Sequence, residues 1–228
     1  MKSLSYYWKR IRLRPVSVFL FHHVSDIFEP DTMWECDWIQ TEAFKKKVLA
    51  LKKKYIFVSL TEAYNHIAKD KFRLRNYAAL TADDGWESLK NILPWLADQG
   101  IPVTLFLNPL YLDGEHYRMR ETERFLTDND INRICEEYPN VVIGMHGWEH
   151  TVMTEQDENE FRNNVRRSIH ALKDYRSFIP FFAYPWGKYN ETTNGVLKEL
   201  GVVPVLMDGA KNYDDFSKVQ RELLMPNS

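Results

Sequence analysis

The chain has 228 residues, 44% of them hydrophobic, which suits one domain over residues 1–228 with a sizeable core. A formal net charge of −2 excludes a field strong enough to hold nucleic acid. Cys36 and Cys135 stand far apart and outside any ligand pattern, so free thiols are expected rather than a disulfide framework.

Residues 1–14 form a basic aromatic segment with Lys2, Lys9, Arg10, Arg12 and Arg14 and no apolar run. Neither a signal peptide nor a membrane span is expected there, which points to the cytoplasm. Tyr6, Tyr7 and Trp8 beside these bases also suit peripheral contact with an anionic membrane, at its inner face, although an exposed first helix is the plainer reading.

Residues 16–21 are β-branched and aromatic and predict a buried strand that ends on His22-His23. Residues 25–40 follow as a loop. Thr41 is expected to cap a helix with Phe44, Val48, Leu51 and Tyr55 on one face, and Ser59 with Glu62 makes a capping box for a helix to about Asp70. A strand over 77–80 runs into Thr81-Ala82-Asp83-Asp84-Gly85-Trp86, and a helix is predicted from about Glu87 to Gln99. Residues 103–107 form the next strand. The stretch 110–126 lacks periodicity and reads as a long loop, a common place for function.

Thr127-Asp128 opens a helix to about Tyr138, and a strand over 141–145 ends in His146-Gly147-Trp148-Glu149-His150. Thr154 with Asp157 is expected to open a helix carrying Phe161, Val165, Ile169 and Leu172. A strand over 178–182 ends in Ala183-Tyr184-Pro185-Trp186-Gly187, Asn190 caps a helix stopped by Gly201, and residues 202–207 form the last clear strand. Alternation of strand and helix predicts a parallel sheet with right-handed crossovers. In a parallel barrel, His22, Asp83-Asp84, His146 and Tyr184–Trp186 all follow strand ends and share the face where active sites lie.

Two adjacent carboxylates are costly to bury unpaired, and a divalent metal or a catalytic role removes that cost. His146 and His150, with Asp84 from a neighbouring strand end, complete a two-histidine, one-carboxylate set. Such a set leaves coordination positions open for water and substrate. One divalent ion is expected; Zn²⁺ is the default, and the same set accepts Fe²⁺, Co²⁺ or Ni²⁺.

Thr81–Gly85, His146–His150 and the Tyr-Pro-Trp-Gly segment at 184–187 together resemble the polysaccharide deacetylase family, also called the NodB-homology family or carbohydrate esterase family 4. The resemblance runs from about Pro15 to the C-terminus and is nearest to the poly-N-acetylglucosamine deacetylase branch. It implies a distorted (β/α) barrel of about six or seven parallel strands. It also implies a metal held by Asp84, His146 and His150, with Asp83 as general base and the Trp186 N–H as oxyanion donor. Phe21-His22 matches an aromatic-histidine pair that supplies the acid in that branch, so His22 is the expected general acid. Trp86, Trp148, Tyr184 and Trp186 neighbour the motifs as candidate sugar-stacking rings.

Two departures stand out. The family arginine that orients the base is replaced by Ala183, and no histidine follows His170. Arg221 has no assigned role at this point. The implied reaction is removal of an N-acetyl, or alternatively N-formyl, group from an amino sugar. The expected substrate is a lipid- or nucleotide-linked precursor in surface polysaccharide or lipopolysaccharide biosynthesis. The competing reading is a catalytically impaired barrel that binds carbohydrate.

Overall fold

The structure is a computed structural model that describes residues 14–28, 37–70, 72–113, 124–209, 211–213, 215 and 217–224. The segment before Arg14, Cys36 and His116 lie outside the described residues. Eleven strands and six α-helices follow in chain order among them. The strands are β1 (Val16–Phe21), β2 (His23–Val24), β3 (Trp38–Ile39), β4 (Ile56–Phe57), β5 (Tyr77–Ala82), β6 (Val103–Leu107), β7 (Val141–Met145), β8 (Phe178–Ala183), β9 (Val203–Leu206), β10 (Val219–Gln220) and β11 (Glu222–Leu223). The helices are α1 (Thr41–Lys52), α2 (Leu60–Lys69), α3 (Leu93–Asp98), α4 (Asp128–Glu137), α5 (Glu158–Leu172) and α6 (Glu191–Glu199).

All ladder pairings are parallel. The order β9-β8-β7-β6-β5-β1 forms the wall, and short β4 pairs the start of β5. The chain then returns at residues 219–223 to close it. Val219 and Gln220 pair β9 on one side, and Glu222 and Leu223 pair β1 on the other. This gives the expected distorted (β/α) barrel, with six long strands and a seventh broken at Arg221. Pattern reading stops at residue 207 because each half of that closing strand is only two residues long.

The strands are buried on both faces, as the runs VSVFLF and VTLFL require. One core cluster lies between sheet and helices and includes Phe21, Phe44, Leu105, Ile143, Phe161 and Phe182. A second, with Val18, Ala79, Phe106 and Ala183, fills the barrel interior.

Three local expectations are corrected. Thr41 is the first residue of α1, and its N-cap is Gln40, which makes no side-chain cap. Asp157 caps α5 with a Glu160 capping box, while Thr154 lies in a preceding 3₁₀ turn, Met153–Glu155. The helix expected over 87–99 is split into a 3₁₀ turn at Glu87–Asn91 and α3, which begins with Pro94 in its first turn, where a missing N–H costs least. Ser59 forms the expected capping box, and Thr127 and Asn190 cap their helices as expected, each within a capping box of its own.

Candidate active site

The site forms where β1, β5, β7 and β8 end. Asp83 N–H donates to the Phe21 carbonyl at 3.2 Å, which joins the tips of β5 and β1. Asp84 then adopts φ 70° and Gly85 φ 77°. Two successive left-handed residues turn the chain sharply, and Asp tolerates this region better than most side chains. Gly85 has a further constraint, since a Cβ there would lie 2.6 Å from Leu107 Cδ2.

This turn sends the two carboxylates to different partners. Asp84 Oδ2 accepts from Trp86 Nε1 at 3.0 Å. Asp84 Oδ1 is buried without a hydrogen bond, and it faces His146 Nε2 at 3.3 Å and His150 Nε2 at 3.4 Å. His146 uses Nδ1 on the Ala183 carbonyl, 2.9 Å away. A carbonyl only accepts, so Nδ1 carries a proton, and in the neutral ring Nε2 presents a lone pair. Burial pushes the His150 imidazole down to about 4, so it is neutral near pH 7; burial also works against a charge on His146, but the Asp83 and Asp84 carboxylates outweigh it and raise that imidazole. Asp84 Oδ1 and the two Nε2 atoms thus gather with all three within 4.8 Å of one another. A buried carboxylate in such a cluster needs a positive charge beside it, which a metal ion supplies, or a proton on His146 where no ion is bound. The donor set of one carboxylate and two imidazoles fits a divalent ion of the zinc type.

The loop that carries both histidines has no ladder of its own. Asn108, at the end of β6, donates Nδ2 to the carbonyls of His146 and Gly147, the latter at 3.2 Å. Asn164, on α5, accepts the Trp148 N–H at 2.8 Å, and the Tyr111 hydroxyl accepts the His150 N–H at 3.2 Å. Gly147 runs at φ 83°, and a Cβ there would lie 2.4 Å from Met153 Cε.

Asp83 meets a partner that the motifs do not show. Arg221, 1% exposed, grips it with two bonds, Nη1 to Oδ1 at 2.6 Å and Nη2 to Oδ2 at 2.9 Å. Nη1 also reaches Thr81 Oγ1 at 3.3 Å. Burial alone would raise the Asp83 carboxyl; the Arg221 guanidinium outweighs it and holds the group below the usual carboxylate range. The position vacated at Ala183 is therefore supplied from the barrel's closing strand. The signal in the sequence is the alternation Val219-x-Arg221, which places an arginine inward, where only a carboxylate partner makes burial tolerable.

His22 lies directly after β1, with Nδ1 3.4 Å from Asp37 Oδ1. It lies near enough to couple electrostatically to Asp83, Asp84 and His150, which places it at the same centre. Asp37, in the loop after β2, is a second residue that pattern reading missed. His23 turns the other way. It is buried and packs on the Trp86 ring at 4.2 Å.

The four candidate stacking rings differ in access. Trp86 is buried between His23 and Phe125, whose ring stacks on it at 4.1 Å. Tyr184 is buried, with its hydroxyl donating to Asn194 Oδ1 at 2.9 Å, and Arg167 covers the Trp148 ring at 4.1 Å. Trp186 is 43% exposed and meets His150 edge-on at 4.9 Å. Its backbone sits at φ 60°, making it, with Asp84, one of two non-glycine residues at positive φ among the described residues. Such strain collects at functional sites.

A family model described as polysaccharide deacetylase matches residues 72–205. No curated protein matches the chain significantly. Among solved structures, IcaB from Ammonifex degensii superposes with a TM-score of 0.79 at 21% identity, covering 94% of this chain and 93% of that one. The Streptococcus pyogenes deacetylase PplD, in complex with acetate, gives 0.76 at 16% identity, covering 94% of each chain. A de-N-acetylase from Aggregatibacter actinomycetemcomitans gives 0.74 at 17%, covering 94% and 97%. At these identities the likeness speaks to the fold. The family match spans both carboxylates, both histidines and Trp186, but leaves His22, Asp37 and Arg221 outside it.

Proposed function

The chain belongs to the polysaccharide deacetylase family, hydrolases of carbon–nitrogen bonds in N-acylated sugars, and we propose that it is a metal-dependent N-deacylase of an amino sugar. The observation that carries metal dependence is the orphaned, buried Asp84 Oδ1 faced by the Nε2 atoms of two imidazoles. Asp84, His146 and His150 would hold the ion, which when bound polarises the acyl carbonyl and makes water more acidic.

The chain's own groups then divide the work. Asp83, ionised beside Arg221, takes a proton from the attacking water. As the water oxygen bonds to the acyl carbon, the Trp186 N–H donates to the carbonyl oxygen that gains charge. His22, turned toward Asp37, delivers a proton to the sugar nitrogen as the carbon–nitrogen bond breaks. The products are a carboxylate and a free amine. Trp186 offers the sugar the most open ring of the four candidates.

The acyl group proposed is acetyl, with formyl as a variant that the same attack serves. The substrate proposed is a lipid- or nucleotide-linked precursor of a surface polysaccharide or lipopolysaccharide, met in the cytoplasm or at the inner face of the membrane by a single catalytic domain. Among the described residues no helix is long and apolar enough to cross a membrane. The alternative, a barrel that only binds carbohydrate, draws on the loss of the base-orienting arginine and of a C-terminal histidine, and Arg221 removes the first of these grounds. A screen for acetate and formate release over free, nucleotide-linked and lipid-linked amino sugars tests the proposal. Release from one class is expected; sugar binding with no acid released from any would favour the binding module.

A further inference from the structure

The two adjacent carboxylates receive donors of different charge. Asp83 is gripped by the Arg221 guanidinium, whereas Asp84 Oδ2 accepts from a neutral group, the Trp86 indole Nε1–H, at 3.0 Å. A guanidinium on Asp84 would offset the charge that attracts a cation. An indole satisfies one oxygen and leaves that charge in place. The other oxygen, Oδ1, is the one that faces His146 Nε2 at 3.3 Å and His150 Nε2 at 3.4 Å.

The indole is locked where it lies. His23 covers one side at 4.2 Å with planes 31° apart, and Phe125 stacks on it at 4.1 Å and 25°. The residue is 8% exposed, so little water competes for its N–H and no sugar ring can reach its faces. Its backbone is strapped to residues 124–126. Trp86 and Phe125 form an antiparallel bridge, Glu87 N–H donates to the Arg124 carbonyl at 2.9 Å, and Leu126 N–H donates to the Gly85 carbonyl at 2.8 Å. The Phe125 ring continues to Tyr111, 5.1 Å away, whose hydroxyl accepts the His150 N–H. One aromatic row therefore touches both segments that carry ligands.

We propose that Trp86 is a positioning residue that sets metal selectivity: its indole N–H holds Asp84 as a one-oxygen ligand, which favours Zn²⁺ over ions that take more oxygen ligands, such as Mn²⁺. A carboxylate with both oxygens open can chelate an ion through the pair, which suits ions of high coordination number. A carboxylate with one oxygen committed offers a single contact and keeps the ligand set small, as a tetrahedral ion requires. This inference rests on the metal reading of Asp84, His146 and His150, because it concerns how Asp84 meets the ion. It also moves Trp86 from the candidate sugar-stacking rings to the support of the metal site.

The test measures Zn²⁺ and Mn²⁺ affinity of the stripped full chain, by competition with a chelator, in wild type, Trp86→Phe and Trp86→Met. Both replacements are apolar and lack the N–H, and they pack differently, so the test does not hang on one variant folding. Both should bind Zn²⁺ roughly 10–100-fold more weakly than wild type. Their Zn²⁺-to-Mn²⁺ affinity ratio should fall at least about tenfold, because Asp84 can then close on Mn²⁺ with both oxygens. Co²⁺ bound to either variant should show a weaker visible absorption band than Co²⁺ bound to wild type, the mark of a higher coordination number. Phe125→Leu removes the covering ring but keeps the donor, and it should lower stability while leaving the affinity ratio unchanged. An unchanged ratio in the Trp86 variants, or an equal loss in Phe125→Leu, would overturn the proposal and leave the metal site standing. A wild type that binds no stoichiometric metal would overturn the metal reading, and this proposal with it.

Discussion

Asp83 and Arg221 are the residues on which the chemistry turns. A buried carboxylate is ionised here because a guanidinium grips both oxygens, and a group held below the usual carboxylate range is ready to accept a proton at neutral pH. Removing the arginine leaves an unpaired buried charge, at a cost of about 3–5 kcal/mol of stability. Arg221→Lys keeps the charge but not the fork, so it should fold, retain metal and lose roughly 10²-fold in kcat. With less support for the ionised form, the acid limb of its pH–rate profile should move to higher pH; an unmoved limb would deny Arg221 this role. His22→Ala should lower kcat by roughly 10²–10⁴-fold with metal content unchanged, the range for loss of an acid. Measuring kcat and metal content in both variants separates base positioning from metal loss.

At the scale of elements, the decisive piece is the loop from His146 to His150. Its backbone is held by Asn108, Tyr111 and Asn164, which come from two neighbouring segments, instead of by a ladder. Asn164→Ala should weaken metal affinity by roughly 10–100-fold, read by competition with a chelator, with a smaller effect on the fold. Gly85→Ala should destabilise the chain by about 1–3 kcal/mol in denaturant unfolding, because it combines a left-handed φ with a clash against Leu107.

The sequence made the strand–helix alternation and the carboxylate and histidine motifs legible, since each long strand is a continuous apolar run ending on unusual polar residues. It hid what depends on closure and on loops. Arg221 sits between two-residue strand halves too short for a pattern, and Asp37 and Tyr111 reach the site through irregular segments. Burial of Trp86 between His23 and Phe125 is likewise set by tertiary contacts that spacing does not encode.

The whole molecule stores a pH dependence in its buried histidines. Burial pushes His23 down to about 4 from an ordinary 6.5, so the unfolded chain binds a proton that the folded one refuses in that window. Stability is therefore present above 6.5 and falls as pH drops toward 4, by about 3 kcal/mol from this group. Asp83 adds in the same direction at lower pH, because its folded-state value is depressed and its contribution is lost as pH falls through it. Denaturant midpoints of metal-free protein should fall across the window between 6.5 and 4, and His23→Gln should flatten that fall. Barrel closure by residues 219–223 ties this global stability to the site, since the strand that seals the barrel also carries Arg221.

The central claim divides two adjacent aspartates between holding a metal and moving a proton. It is tested most directly by titrating Zn²⁺ into stripped protein while following both bound metal and acyl release. The wild type should bind near one equivalent and gain activity with it. Asp83→Asn should bind the same equivalent and stay inactive, and Asp84→Ala should bind none. Activity that survives in stripped protein, or in Asp83→Asn, would contradict the account.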